Sequence, residues 1–101
     1  MNIILGRDRA DELREKFLVL ELETFDHPDG MQIPAFCVIP AEKIPLAELP
    51  MLEHWSDMHG TMILEFNKGN RSYCEQAIEH LRGKFGGEMD TFYDHVMKVM
   101  Q

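Results

Sequence analysis

Between Pro40 and Pro50 the chain carries three of its five prolines, and the hydrophobic pattern changes period across that segment. Upstream, apolar residues alternate or run together over short stretches, as strands require; downstream they recur every three or four residues, as on helix faces. Proline lacks the N–H that a helix interior or a sheet ladder uses, so neither pattern passes through the segment unbroken. We read 40–50 as a Pro-rich connector inside one domain, 1–101. It joins a sheet unit, 1–39, to a helical part, 51–101, and neither is large enough to stand comfortably alone. The expected fold class is α+β: a small N-terminal β-α-β-β unit followed by three antiparallel helices.

The local signals fill in this plan. Asn2-Ile-Ile-Leu-Gly6 reads as a short buried strand ended by glycine, and Asp8 is placed to cap a helix running to Lys16 or Phe17. From Leu18 to Phe25, Leu18, Leu20 and Leu22 point one way while Glu21 and Glu23 point the other. Pro28-Asp29-Gly30 is a turn with a mechanism: proline presets φ and glycine accepts a positive one. Met31–Ile39 is the returning strand, and Pro34 predicts that it starts late or lies partly at an edge. Pro50 suits the first position of a helix whose stripe is Leu52, Trp55, His59, Met62 and Phe66, ending near Lys68. Asn70 caps the next helix, with Cys74, Ala77, Ile78, Leu81 and Phe85 as its stripe and Gly86-Gly87 as its end. A third, opened by Glu88 and Asp90, turns Met89, Phe92, Tyr93, Val96 and Met100 inward. Short connections make the three helices antiparallel neighbours.

Charge narrows the function classes. Eighteen acids against ten bases leave a net charge of −8, spread over both halves of the chain. That balance argues against phosphate-backbone binding and against docking on anionic lipid, so neither nucleic acid nor membrane is an expected partner. Two cysteines, Cys37 and Cys74, make no disulfide framework, the start has no secretory pattern, and a reducing cytoplasm is the expected setting.

Candidate chemistry is sparse. Glu53, His54, Asp57 and His59 on one helix and Cys74, Glu79 and His80 on the next are the metal-ligand types available. Glu53 and Asp57 share a face at i, i+4, but His59 falls on the apolar face, and no C-x-x-C, H-E-x-x-H or Glu-x-x-His spacing occurs. No metal site and no cofactor are assigned, and the acids read as a solvated face. Cys74 and His80, six residues apart, lie on different faces of their helix, and a thiol without an activating neighbour is read as packing. No catalytic residue is assigned. His59 interrupts an apolar stripe beside Trp55, with His80 placed to face it from the neighbouring helix. Two readings stay open: a buried, hydrogen-bonded histidine, or a ligand pocket near Trp55, His59, Tyr73, Cys74 and His80. Gly6 after a strand is too little for a phosphate loop. The methionines on the helical stripes, and a final helix ending Val96-Met-Lys-Val-Met100-Gln101, suggest a homodimer interface through Phe92, Val96, Met97 and Met100.

Two resemblances add to this. Phe66–Leu81 resembles the helical hairpin of tetratricopeptide-type repeats, with a small residue at the turn, then Tyr73 and Ala77; one such unit forms no solenoid groove. The order of Ile-Leu-Gly, Val-Leu-Glu-Leu-Glu-Thr, Ala-Phe-Cys-Val, Tyr-Cys-Glu-Gln-Ala-Ile-Glu-His-Leu and Gly-Gly-Glu-Met-Asp-Thr-Phe-Tyr is similar to small uncharacterised proteins of large tailed bacteriophages of marine bacteria. That resemblance implies work in an infected cell's cytoplasm, with a host or phage protein as partner, and no activity. The function expected is a non-enzymatic protein-interaction module that self-associates. The alternatives are a ligand binder or enzyme using the pocket near Trp55, His59 and His80, and an acidic imitation of nucleic acid.

Overall fold

The computed structural model describes residues 2–101. In chain order the elements are β1 (Asn2–Leu5), α1 (Arg7–Leu13), β2 (Leu18–Asp26), β3 (Gln32–Ile39), α2 (Leu52–Asn67), α3 (Arg71–Leu81) and α4 (Asp90–Val99). Short 3₁₀ segments occupy Ala41–Lys43, Leu46–Met51 and Phe85–Gly87. The fold is α+β, with the elements in roughly the order that the sequence predicts.

The sheet is antiparallel throughout, in the order β1-β3-β2, so β3 is central. The β2–β3 hairpin closes at Pro28-Asp29-Gly30: Gly30 has φ +90, and the Asp29 carboxylate accepts the Met31 N–H at 2.9 Å. Pro34 therefore lies inside a central strand, not at a late start or an edge. The exception has a cause. The Pro34 carbonyl accepts the Gly6 N–H at 2.9 Å, just beyond the last β1 pair, Leu5 with Ala35. In an extended strand the N–H and C=O of one residue point the same way. The missing donor of Pro34 thus faces the place where β1 has already ended. On its other side the register slips between Glu21 and Thr24, so Leu22 and Glu23 together oppose Ala35 as a β-bulge.

Both faces of the sheet are covered, unequally. Leu20, Leu22, Ala35, Cys37 and Ile39 pack against α2, α3 and α4 through Met62, Ile63, Ala77, Ile78, Phe92, Tyr93 and Val96 in one continuous core. The opposite face carries a small cluster of Val19, Phe36 and Val38 under Ala10, with Ile4, Leu13 and Phe17 at its margin. Arg7 and Arg14 lie over the Phe36 ring at 5.4 and 5.9 Å from its centroid, so α1 is a lid made partly of guanidinium planes.

Several helix limits differ from expectation. Helix α1 starts one residue before Asp8 and stops at Leu13; Gly6 stands at its cap position and no side chain caps it. Leu13 still collects Phe17 by a backbone bond of 2.9 Å, which turns the chain into β2. Pro50 falls in the 3₁₀ turn that precedes α2 rather than at its first residue. Asn70 does cap α3, its Oδ1 accepting the Tyr73 N–H at 3.2 Å. Helix α3 ends at Leu81 rather than at Phe85, because Arg82 is extended and Gly83 has φ +82. Phe85 keeps its core position by adopting φ +55, a conformation that non-glycine residues seldom take. Beside it, a Cβ on Gly86 would meet the Lys43 carbonyl oxygen, so this loop packs directly against the Pro-rich connector.

Candidate functional site

The bulge decides what the helix-facing side of the sheet presents. Strict alternation would send Glu23 away from Leu22; the extra residue turns it to the same side, which corrects the expectation that Glu23 points with Glu21. Glu21 stays on the α1 side, 3.8 Å from the Arg7 guanidinium. Glu23 meets α4, where the His95 Nε2–H donates to its carboxylate at 2.7 Å. Glu23 and His95 stand on the rim of a groove of about 220 Å³ lined by Ile3, Leu22, Phe25, Ala35, Thr91 and Phe92.

Three strand residues on this side are uncovered: Ile3 is 56% exposed, Leu5 58% and Phe25 49%. They mark a corner of the sheet that the helices leave open to solvent, where Thr91, Phe92 and His95 of α4 form the far wall of the groove that Ile3 and Phe25 line. Beyond the corner runs the outer edge of β1. The Gly6 N–H faces β3, so Ile4 and Asn2 face β3 too, and the N–H and C=O of Ile3 and Leu5 point outward. Among the described residues nothing bonds to these outward groups.

His59 sits at the other edge. It is 1% exposed, ringed by Phe85, Phe92 and Tyr93. Its Nε2 lies 2.6 Å from the Glu21 carbonyl oxygen and its Nδ1 lies 3.0 Å from the Tyr93 hydroxyl. A carbonyl only accepts, so Nε2 carries the proton and Nδ1 accepts from the phenol. Burial pulls the pKa of His59 down to about 4, outweighing the upward pull from the Glu21 carbonyl, and holds the ring neutral. Burial likewise pushes the Tyr93 hydroxyl well above its usual range. Both nitrogens are spent on the protein itself, so His59 opens into no pocket.

The other expected site residues are scattered by the fold. Tyr73 and His80 share a shallow groove of about 160 Å³ with Met58, Gln76 and Ala77. Trp55 lies elsewhere, half-buried under the Lys84 ammonium at 4.9 Å from the ring centroid. His80 is exposed and does not meet His59. The pocket read from Trp55, His59, Tyr73 and His80 is thus divided, because His59 points under α4 rather than toward α3. The interface read from the last helix needs a similar correction. Phe92 is 6% exposed and Val96 fully buried in the core of the same chain, while Met97 and Met100 are half-buried against it.

Burial raises the thiol pKa of Cys37 to about 11 and raises that of Cys74, the opposite of the activation a nucleophile needs. Among the described residues no three His, Cys, Asp or Glu side chains come together to hold a metal ion. No helix among them is long and apolar enough to cross a membrane. Compared with family models, with curated proteins and with solved structures, the chain matches none.

The open corner was missed by sequence reasoning. One signal for it existed: Asn2-Ile-Ile-Leu5 has no charged residue, whereas β2 carries Glu21, Glu23 and Asp26. Which of the two strands would be shielded is a matter of tertiary packing.

Proposed function

We propose that this protein is a non-enzymatic protein-interaction module that associates with itself and engages a second protein through the open corner of its sheet. The observation that carries the reading is the open corner itself: Ile3 and Phe25, each about half exposed or more, line an apolar groove, and Leu5, also more than half exposed, stands two residues along β1 on the same side of the sheet. Apolar side chains gathered on a surface rather than scattered singly mark interaction sites. The resemblance to small phage proteins supports an infected cell's cytoplasm as the setting and a host or phage protein as the second partner. The experiment is light scattering on the purified protein over a wide concentration range, followed by a pull-down with the wild type and a Phe25→Asp variant. A concentration-dependent dimer, and a partner lost with Phe25→Asp, is the expected result. A protein that stays monomeric and captures nothing that Phe25→Asp fails to capture ends the proposal.

A further inference from the structure

The geometry points to the outer edge of β1 as the self-association site, where two copies pair antiparallel about a two-fold axis at Ile4; this rests on the self-association just proposed. Each three-stranded sheet would then continue into the other as one sheet of six strands, ordered β2-β3-β1-β1-β3-β2. Three observations carry the inference.

The first is hydrogen-bonding capacity. Ile3 and Leu5 aim their N–H and C=O groups outward, and an antiparallel strand centred on Ile4 sets Ile3 opposite Leu5 twice, closing both pairs. An edge strand normally carries some device against such pairing, a charge, a proline or a bulge. Strand β1 carries none, while β2 has three acids and the bulge.

The second is apolar cover. The side chains of Ile3 and Leu5 lie on the same side of the sheet and are more than half exposed. In this register Ile3 of one copy sits beside Leu5 of the other, and the four side chains form one row across the junction. A strand from an unrelated protein would meet the hydrogen-bonding demand, but only a second copy brings the matching open corner.

The third is charge. A chain at −8 repels its own copies, so contact is least costly where acids are few. Residues 2–5 of β1 hold no charge, and the arginines that follow, Arg7 and Arg9, are each paired with an acid of the same chain, Glu21 and Glu12. The acidic β2 strands would lie five strand spacings apart, about 24 Å, beyond the roughly 8–10 Å over which exposed charges act at ordinary salt.

The test uses analytical ultracentrifugation of the wild type, Ile3→Pro and Leu5→Lys, with amide hydrogen exchange of the wild type at low and high concentration. Ile3→Pro removes an outward N–H and leaves the bonds between β1 and β3 intact. It should raise the dimer dissociation constant by at least about tenfold, since two hydrogen bonds are lost per dimer. Leu5→Lys installs an edge charge and should do the same. In the wild type the Ile3 and Leu5 amides should exchange more slowly as concentration rises, while Ile4, already bonded to β3, should not change. A dimer that Leu5→Lys dissolves and Ile3→Pro leaves intact, with no new protection at Ile3, would overturn edge pairing and leave self-association through the corner standing. A dimer insensitive to both variants would overturn this location too. A wild type that is monomeric throughout overturns edge pairing and self-association together. Should Ile3→Pro fail to fold, the wild-type exchange pattern decides by itself.

Discussion

The two edges of one small sheet are treated in opposite ways. Along β2 the outward carbonyls are occupied: the Arg14 guanidinium reaches the Val19 carbonyl at 3.4 Å and His59 reaches that of Glu21 at 2.6 Å. Helix α2 lies against that strand, and the bulge and three acids guard the rest. Along β1 the outward groups of Ile3 and Leu5 meet no described partner, and no charge stands on the strand. The difference teaches that a buried histidine can serve as sheet edging. Its two nitrogens link a strand carbonyl to the Tyr93 hydroxyl, so α2, α4 and β2 are fastened at one point.

The comparison can be broken by mutating each edge in turn. The largest effect is expected at the closed one. His59→Ala leaves the Glu21 carbonyl and the Tyr93 hydroxyl without partners and opens a cavity among three aromatic rings. It should cost about 4 kcal/mol of unfolding free energy, read from urea titration. A loss under about 1 kcal/mol would mean that the histidine edging is incidental.

Acid should act at the same place with a definite sign. The unfolded His59 takes up a proton near pH 6.5, whereas the folded one resists until about 4. Between those values the unfolded state binds more protons, so stability falls as pH drops through the window and this contribution levels off below it. The loss approaches about 3 kcal/mol. The stability difference between wild type and His59→Leu, followed from pH 7 to pH 4, should shrink accordingly; a constant difference would place the titration elsewhere.

Smaller changes are expected from more exposed groups. Arg14→Ala removes the 3.4 Å bond to Val19 and the guanidinium over Phe36, and should cost about 1 kcal/mol by the same titration. His95→Ala breaks the pair with Glu23, both partners reachable by solvent, and should cost less than about 1 kcal/mol. Ile3→Thr, at the open edge, should change monomer stability by about 0.5 kcal/mol or less, since it keeps a β-branched residue on an exposed strand position. A cost at Ile3 equal to that at His59 would erase the distinction between the edges.

Much of this architecture was legible beforehand. Periods of two and of three to four on either side of the Pro-rich segment mark strands and helices, and the inward residues of α3 and α4 follow from spacing alone. The Pro-Asp-Gly turn and the Asn70 cap announce themselves through side-chain chemistry that acts over three or four residues. Glu23 was misplaced because a bulge depends on what lies across the ladder, here the lone Ala35 opposite two residues. Pro34 was misplaced because a proline's tolerance in a strand depends on whether a neighbour still runs beside it. Phe85 was assigned to a helix because its spacing fits the stripe, although the backbone reaches the core through a loop instead.

His59 shows the division most clearly. Its residue type and its place on an apolar stripe are local, and they already left only two readings, a satisfied core histidine or a pocket. Choosing between them required Glu21 and Tyr93, thirty-eight and thirty-four residues away in opposite directions. The fold class, the turn and the stripes follow from the sequence by itself, because they rest on interactions between near neighbours along the chain. Which edge of the sheet is closed, which corner stays open and where each histidine points were decided by the tertiary structure. Those features depend on partners that only chain folding brings together.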